Sequence, residues 1–404
     1  MDKSLRSVSL LVFLTMLPVT ALVPILKLLV QDRFAVGLFA THLFMAINTL
    51  AAIAAAPLMG SLSDWLGRRK ELIVGAAAAD AVLFLALGSA PTYDLMLAFR
   101  FLEGAAHITV LSLLFAHAST ILRGSESHSF GGLGGVLTFG VALGAPLGGV
   151  LGQGGAERAL GAGAGIMTAV AIGASIWVGD RSESPAARPQ MKEMLRLLAV
   201  YPSVRIPILF SFVERLASGF FIASFPIFCG LAWGLGPRSI GLLITAYMLP
   251  MAALCYPMVS LSRRRPAREW LCIGGLIYGG LFSSIGYLNP VGLVFLMIAC
   301  GVLSAVMFVP TLVIISRETP STLKGSAMGL FNAVGALGFI VGPLLSGAIV
   351  VFLSPRLGPV ESYRAVFLVG GLITSAAAIG SFFSRAWRDK PVAQSEIPAV
   401  PVRR

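Results

Sequence analysis

The stretch Gly60-Ser-Leu-Ser-Asp-Trp-Leu-Gly-Arg-Arg-Lys70 decides how this chain folds. It is the only dense cluster of polar and charged residues among the first 90 positions. Apolar runs lie on both sides of it, at 38–59 and at 72–89. A short loop with three cations between two segments of membrane length is expected at a membrane surface, on the cytoplasmic side.

The composition of the whole chain agrees with a membrane protein. Of the 404 residues, 57% are hydrophobic and only 12% are charged, whereas a soluble domain carries about 25% charged residues. The chain has room for about 12 membrane-spanning helices with short loops. The apolar segments lack period-2 alternation, which argues against a transmembrane β-barrel. We therefore predict an all-α polytopic membrane protein.

The apolar segments fall into two groups of six, separated by a polar gap. We predict the spans at 7–30, 36–59, 71–89, 94–120, 128–152, 160–178, 206–232, 239–261, 269–288, 291–316, 326–352 and 364–386.

Short sequence matches relate the two groups. The pairs, each separated by about half the chain, are Arg33–Thr41 with Arg238–Thr245, Pro57 and Ser61-Leu-Ser63 with Pro257 and Ser260-Leu-Ser262, and Gly144–Gly149 with Gly342–Gly347. One such match could arise by chance in apolar sequence, but three in the same order indicate an internal repeat. We predict two pseudo-symmetric six-helix bundles, a general plan for transporters.

The repeat defines four regions. These are an N-terminal bundle at 1–179, a cytoplasmic linker at 180–205, a C-terminal bundle at 206–388 and a tail at 389–404. In the linker, Met191, Met194, Leu195 and Leu198 recur at helical spacing, which predicts an amphipathic helix on the membrane surface. The Pro- and Val-rich tail is expected to be disordered.

The positive charge of the chain describes its topology. The formal net charge is +12, and 22 of the 30 Lys and Arg residues fall in one set of alternate loops and the termini. This asymmetry predicts that both termini are cytoplasmic. The basic residues therefore indicate contact with the lipid bilayer and argue against a nucleic-acid partner.

The stretch at 60–70 carries the pattern Gly-x-Leu-x-Asp-x-x-Gly-Arg-Arg-Lys. This resembles the signature loop between the second and third helices of the major facilitator superfamily of transporters. A plain cytoplasmic loop would explain the cations but not the spacing of Gly60, Asp64 and Gly67. The resemblance implies twelve helices in two bundles and transport by alternating access. It also implies a conformational gate formed by these three residues with Arg68 and Arg69, in which Asp64 meets the start of the eleventh helix and closes the cytoplasmic side.

The predicted fourth span carries Arg100, Glu103, Gly104 and His107 on one helical face. Charges inside a membrane are expensive and usually face a cavity or a partner. Arg100-x-x-x-Gly104 resembles the fourth-helix motif of the superfamily, in which the Arg is associated with proton transfer. Opening and closing of an Arg100–Glu103 pair could move a proton. The alternative is a static ion pair that packs the bundle, with His107 a core residue.

Other polar residues lie inside predicted spans. Glu214 and Arg215 point about 100° apart on a helix and need not pair; Glu214 is a second candidate carboxylate for coupling to protons or to substrate. Asp80 needs a partner in the third span, and its role is either structural or functional. We expect His42 and Asn48 to form hydrogen bonds between helices.

Two glycine–proline stretches predict close helix packing. The first resembles the fifth-helix motif of the drug–proton antiporter branch of the superfamily, although the spacing of its proline differs. The residues concerned are Gly144, Pro146, Gly148, Gly149, Gly342 and Pro343.

We find no phosphate-binding loop, metal-ligand cluster or nucleophile–base arrangement in the sequence, and therefore expect no enzyme activity, cofactor or metal. The resemblance implies a secondary transporter of the inner membrane, a monomer that binds a small-molecule substrate and protons. The leading expectation is proton-coupled efflux of small hydrophobic or drug-like compounds. The alternative is a proton-coupled symporter or a facilitator for a sugar or an organic acid. A membrane-embedded enzyme or sensor is the third class considered.

Overall fold

The computed structural model describes residues 3–121, 128–179, 197–264, 267–320 and 323–385. Every regular element within these ranges is helical, and twelve helices are long and apolar enough to span a membrane. They are α1 (Lys3–Ala21), α2 (Leu38–Leu66), α3 (Arg69–Ser89), α4 (Tyr93–Ile121), α5 (His128–Gly152), α6 (Ala156–Trp177), α7 (Pro202–Trp233), α8 (Pro237–Arg264), α9 (Ala267–Ser283), α10 (Pro290–Glu318), α11 (Lys324–Leu357) and α12 (Pro359–Phe382). The predicted fold class is confirmed. The predictions for 180–196 and for the tail lie outside the described residues.

Two predicted boundaries are wrong. The first span is not one helix to residue 30, because α1 ends at Ala21 and a separate π-helical turn follows at Lys27–Asp32. The polar stretch at 60–70 is mostly helical, so that only Gly67 and Arg68 separate α2 from α3. Gly67 caps α2 at a φ of 65°, a left-handed conformation that glycine adopts without a steric penalty. Gly60 and Asp64 therefore belong to the last turns of α2.

Successive helices run in opposite directions, which gives the bundle two faces. We call the side on which α1 begins and α12 ends the terminal face, and the opposite side the far face. The α2–α3 corner lies on the terminal face, as do the start of α11 and the end of α10.

The two halves repeat the same packing. In the first half α1 packs on α5, α2 on α4 and α3 on α6; in the second half α7 packs on α11, α8 on α10 and α9 on α12. Glycines allow the closest of these approaches. A methyl group at Gly144 would lie 2.3 Å from the carbonyl oxygen of Leu17 in α1, and one at Gly342 would lie 2.6 Å from that of Leu216 in α7. Any residue larger than glycine at these two positions would clash with the facing backbone.

The halves meet chiefly where α2 packs on α11 and α5 packs on α8. At the far face these contacts are tight, since a methyl group at Gly347 would lie 2.8 Å from His42 Cβ. Towards the terminal face they loosen: on the same side of α2 as His42, residues 53, 56 and 60 are partly exposed, and Asn332 and Ala333 of α11 are exposed. A cleft between the halves is therefore closed at the far face and open at the terminal face.

Candidate functional site

A buried cluster of charged side chains lies between α2, α3 and α4. On α4, Arg100 Nη1 donates to Glu103 Oε2 at 2.6 Å, one turn further along the same face. His107 Nδ1 donates to Asp80 Oδ2 on α3 at 2.8 Å. All four residues are at most 6% exposed. The structure thus places Arg100, Glu103, His107 and Asp80 together, and we call them the charge cluster.

Helix α2 completes the surroundings of the charge cluster. Asn48 Nδ2 donates to Glu103 Oε2 at 2.6 Å, and the guanidinium carbon of Arg100 lies 4.9 Å from the ring centroid of Phe44. Gly104 brings the helices together, since a methyl group there would lie 2.4 Å from the carbonyl oxygen of Asn48. Because α2 and α4 pack so closely, the Arg100–Glu103 pair lies against the Asn48 amide and the Phe44 ring.

The charge cluster is incompletely satisfied. Asp80 Oδ1, Glu103 Oε1 and His107 Nε2 are buried and have no hydrogen-bond partner among the described residues. Two carboxylates, one guanidinium and a neutral imidazole give the cluster a formal charge of −1. One added proton makes the total zero, and the unpartnered oxygen and nitrogen atoms offer it places to bind.

We tested whether the cluster fits a metal ion. Asp80, Glu103 and His107 offer one ligand atom each, all within 4.8 Å of one another. Two carboxylates with an imidazole suit a first-row transition metal. However, the Arg100 guanidinium already pairs with Glu103 Oε2, and a divalent ion would give the buried cluster a charge of +1. Charge balance therefore favours a proton over a divalent metal.

The C-terminal half has a cluster at the equivalent place, about 198 residues later in the sequence. Tyr247 corresponds to Asn48, Tyr278 to Asp80, Cys300 to Glu103, Gly301 to Gly104 and Ser304 to His107. A methyl group at Gly301 would lie 2.0 Å from the carbonyl oxygen of Tyr247, which matches the Gly104 contact. The Tyr247 and Tyr278 hydroxyls are 3.3 Å apart. The same slot thus holds charges in one half and hydroxyl and thiol groups in the other, and we call this second group the hydroxyl cluster.

Glu214 and Arg215 point to different neighbours. Glu214 is 7% exposed, and its carboxylate lies near Ser304, at the edge of the hydroxyl cluster. Arg215 reaches α11, where it donates to the carbonyl oxygen of Phe331 at 3.4 Å and to Asn332 Oδ1 at 3.2 Å. Since Asn332 is exposed on the wall of the cleft, Arg215 lies at the cleft and Glu214 lies behind it.

The predicted gate residues surround the α2–α3 corner on the terminal face. Arg68 Nη1 lies 3.3 Å from Glu71 Oε2 in an exposed pair, and Arg69 Nη1 donates to the carbonyl oxygen of Ala116 on α4 at 3.4 Å. Gly67 forms the corner. The backbone of Asp64 lies in α2, and its side chain is outside the described part of the structure. The cleft is open at this end, so the structure shows the terminal side in its open state.

Sequence analysis did not identify the hydroxyl cluster or Phe44. The signal for the hydroxyl cluster was available, because the repeat relates Tyr278 to Asp80 and Ser304 to His107 through the spacing that also relates the glycine–proline stretches. No local pattern distinguishes Phe44 from other core aromatic residues.

A repeated six-helix architecture around a cleft, with charges buried in one wall, defines a polytopic membrane transport protein. A family model agrees over both halves, matching residues 8–211 and 207–403. The chain belongs to the Major Facilitator Superfamily.

Relatives with curated descriptions match part of the chain. The tetracycline resistance protein, class H, of Pasteurella multocida is 27% identical over 155 residues, which are 38% of this chain and 38% of that protein. The class G protein of Vibrio anguillarum is 29% identical over 133 residues, 32% of this chain and 34% of that protein. The chain therefore matches little more than a third of the length of these relatives.

Solved structures match nearly the whole chain in fold. A mutant of the nucleoside transporter NupG superposes with a TM-score of 0.81 at 15% identity, covering 95% of this chain and all of that one. A bacterial homologue of the human lysosomal transporter Spinster, in an inward-facing and unoccupied conformation, gives a TM-score of 0.77 at 14% identity, covering 98% of this chain and all of that one. At these identities the likeness establishes the fold alone.

Proposed function

We propose that this protein is a proton-coupled exporter of small hydrophobic or drug-like compounds. The observation that carries the proposal is the charge cluster, whose formal charge of −1 becomes zero when it takes up one proton. Ionisable groups buried in a membrane protein often mark proton pathways, and the unpartnered oxygen atoms of Asp80 and Glu103 support that role here. The tetracycline resistance proteins among the relatives support export as the direction and drug-like compounds as the substrate class.

The orientation of the chain follows from its basic residues. Among the described residues, most Lys and Arg residues lie on the terminal face, so we assign that face to the cytoplasm and place the protein in the inner membrane. The cleft of this structure then opens to the cytoplasm, where a hydrophobic compound can enter. Rocking of the halves would close this side through the gate around Asp64 and open the far face for release. The proton, taken up from outside when the far face is open, would return through the charge cluster.

The hydroxyl cluster favours a second candidate function, transport of a hydroxylated metabolite. The phenols of Tyr247 and Tyr278 lie in the C-terminal bundle, next to Glu214, and such groups can recognise sugar or nucleoside hydroxyls. The fold is shared with a nucleoside transporter. This candidate predicts that protons move with the substrate or do not move at all.

The test uses purified protein in liposomes that contain a pH-sensitive dye. Candidate compounds are added outside and proton flux is recorded for the parent, Glu103→Gln and Asp80→Asn. The matched control is Asp94→Asn, which changes an exposed carboxylate at the far end of the same helix as Glu103. We expect a lipophilic compound to drive proton flux in the direction opposite to its own movement, and we expect the two cluster variants alone to lose that flux.

Other outcomes separate the alternatives. Proton movement in the same direction as a sugar or nucleoside would establish symport. Transport of a compound without proton movement, unchanged in both cluster variants, would show a facilitator and would reduce the charge cluster to a structural role.

A further inference from the structure

One histidine of the N-terminal half is enclosed by the C-terminal half at the far face. His42 on α2 is 0% exposed, and its Nε2 lies 3.2 Å from Ser224 Oγ on α7. Its ring stacks on Tyr363 of α12, with centroids 5.9 Å apart and ring planes 15° from parallel. Gly347 of α11 lies against its Cβ. Three helices of one half thus enclose a single side chain of the other half.

The fold does not require a histidine here. The repeat pairs Gly347 with Gly149. In the packing, Gly347 meets His42, where α2 meets α11, and Gly149 meets Gly241, where α8 meets α5. There the backbones touch directly, since a methyl group at Gly241 would lie 3.2 Å from the Cα of Gly149. Two glycines close the far face on one side, so the imidazole on the other side has a role that packing alone does not demand.

The hydrogen bonds fix the protonation of the ring in the closed contact. His42 Nδ1 lies 2.8 Å from the carbonyl oxygen of Leu38, which can only accept, so Nδ1 carries the hydrogen. Nε2 then accepts from the Ser224 hydroxyl. A second proton on the ring would turn Nε2 into a donor, break this arrangement and place a positive charge inside the contact.

The surroundings offer nothing to balance that charge. Among the described residues the ring meets a hydroxyl on α7, a glycine on α11 and the Tyr363 phenol on α12. The acids nearest in sequence on the adjoining elements are already paired, Asp32 with Lys27 and Glu361 with Arg364. An uncompensated charge in such a contact disfavours the closed state.

We propose that His42 is a proton-sensitive latch of the far gate. The neutral ring closes the far side, and protonation of the ring opens it, so that release to the outside is favoured where protons are abundant. The proposal rests on the alternation of access between the two faces and is independent of the charge cluster.

The test measures the distance between the halves at the far face as pH changes. Spin labels are placed at Thr92 and Val291, which are exposed far-face residues of the two halves, after replacement of the native cysteines. Distance distributions between the two labels are recorded by double electron–electron resonance in nanodiscs between about pH 5 and 8, the range over which histidine titrates. In the parent, we expect the closed-to-open ratio to fall on acidification by at most about tenfold per pH unit, since one proton is involved.

Variants separate the latch from other causes. His42→Gln keeps a donor and an acceptor without a titrating group and should remain closed throughout, whereas His42→Lys should be open throughout. Ser224→Ala removes the partner hydroxyl and should raise the open fraction at neutral pH. The part of the pH response that Glu103→Gln retains and His42→Gln loses is assigned to the latch, which separates it from the proposed proton site. An unchanged pH response in His42→Gln, or a parent that stays closed at every pH, would overturn the proposal.

Discussion

Removal of the carboxylate at Glu103 leaves the buried guanidinium of Arg100 without the partner that it contacts directly. Arg100 is 1% exposed, and its guanidinium is paired with Glu103 at 2.6 Å. Breaking a buried pair by removing one partner costs about 3–5 kcal/mol. The face of Phe44 supports the cation and Asp80 lies close enough to act on it, so we place the cost of Glu103→Gln at the lower end, about 3 kcal/mol.

The informative comparison is with a variant in which both charges are absent. Arg100→Met combined with Glu103→Gln removes the unpaired charge, so most of the lost stability should return. We would measure free energies of unfolding by titration with SDS in mixed micelles, for the parent, both single variants and the double variant. The double variant should be folded and inactive in proton-coupled transport. If it proves as unstable as Glu103→Gln, then Arg100 does not depend on Glu103 and our account of the cluster is wrong.

Three further predictions concern packing, the gate and the substrate. Gly301→Ala places a methyl group 2.0 Å from a backbone oxygen and should destabilise by about 1–3 kcal/mol. Gly165→Ala, with nothing within 4 Å, should be neutral or stabilising by up to about 1 kcal/mol; thermal unfolding in detergent compares the two. Asp64→Asn should lower transport severalfold in a folded protein, and unchanged uptake into vesicles would remove its gate role. Arg215→Gln removes the cation that lies at the cleft and should strengthen binding of cationic compounds while leaving neutral ones unchanged, as measured by ligand-induced thermal shifts; equal effects on both would refute a charge contact.

The sequence predicted the helices well because a membrane-length apolar run has few alternatives. It predicted the boundaries less well at the termini of α1 and α2. Ser61 and Asp64 looked like loop residues, yet they continue α2, since polar residues at a membrane surface remain compatible with a helix and Gly67 supplies the stop. The break after Ala21 contains Pro24, but a proline alone does not reveal where a membrane helix ends, since Pro57 and Pro146 lie inside continuous helices.

Three of the four residues of the charge cluster could be predicted from local periodicity. Arg100, Glu103 and His107 are three and four residues apart, so they share a face wherever the helix lies. The partner of His107 could not be predicted in this way, because Asp80 lies on another helix and the relative register of α3 and α4 depends on tertiary packing. The contacts of His42 with the other half could not be predicted for the same reason.

The two equivalent slots, one charged and one hydroxylic, have a consequence for engineering and for evolution. Because Gly104 and Gly301 make equivalent close contacts with the facing backbone, a few side chains around each glycine decide the chemistry of its slot. Exchange of Asp80 and His107 with Tyr278 and Ser304 would move one ionisable pair to the C-terminal half, while the Arg100–Glu103 pair would stay in the N-terminal half. In a protein built from two such halves, one half can keep its proton-binding groups while the other acquires groups that bind a new substrate.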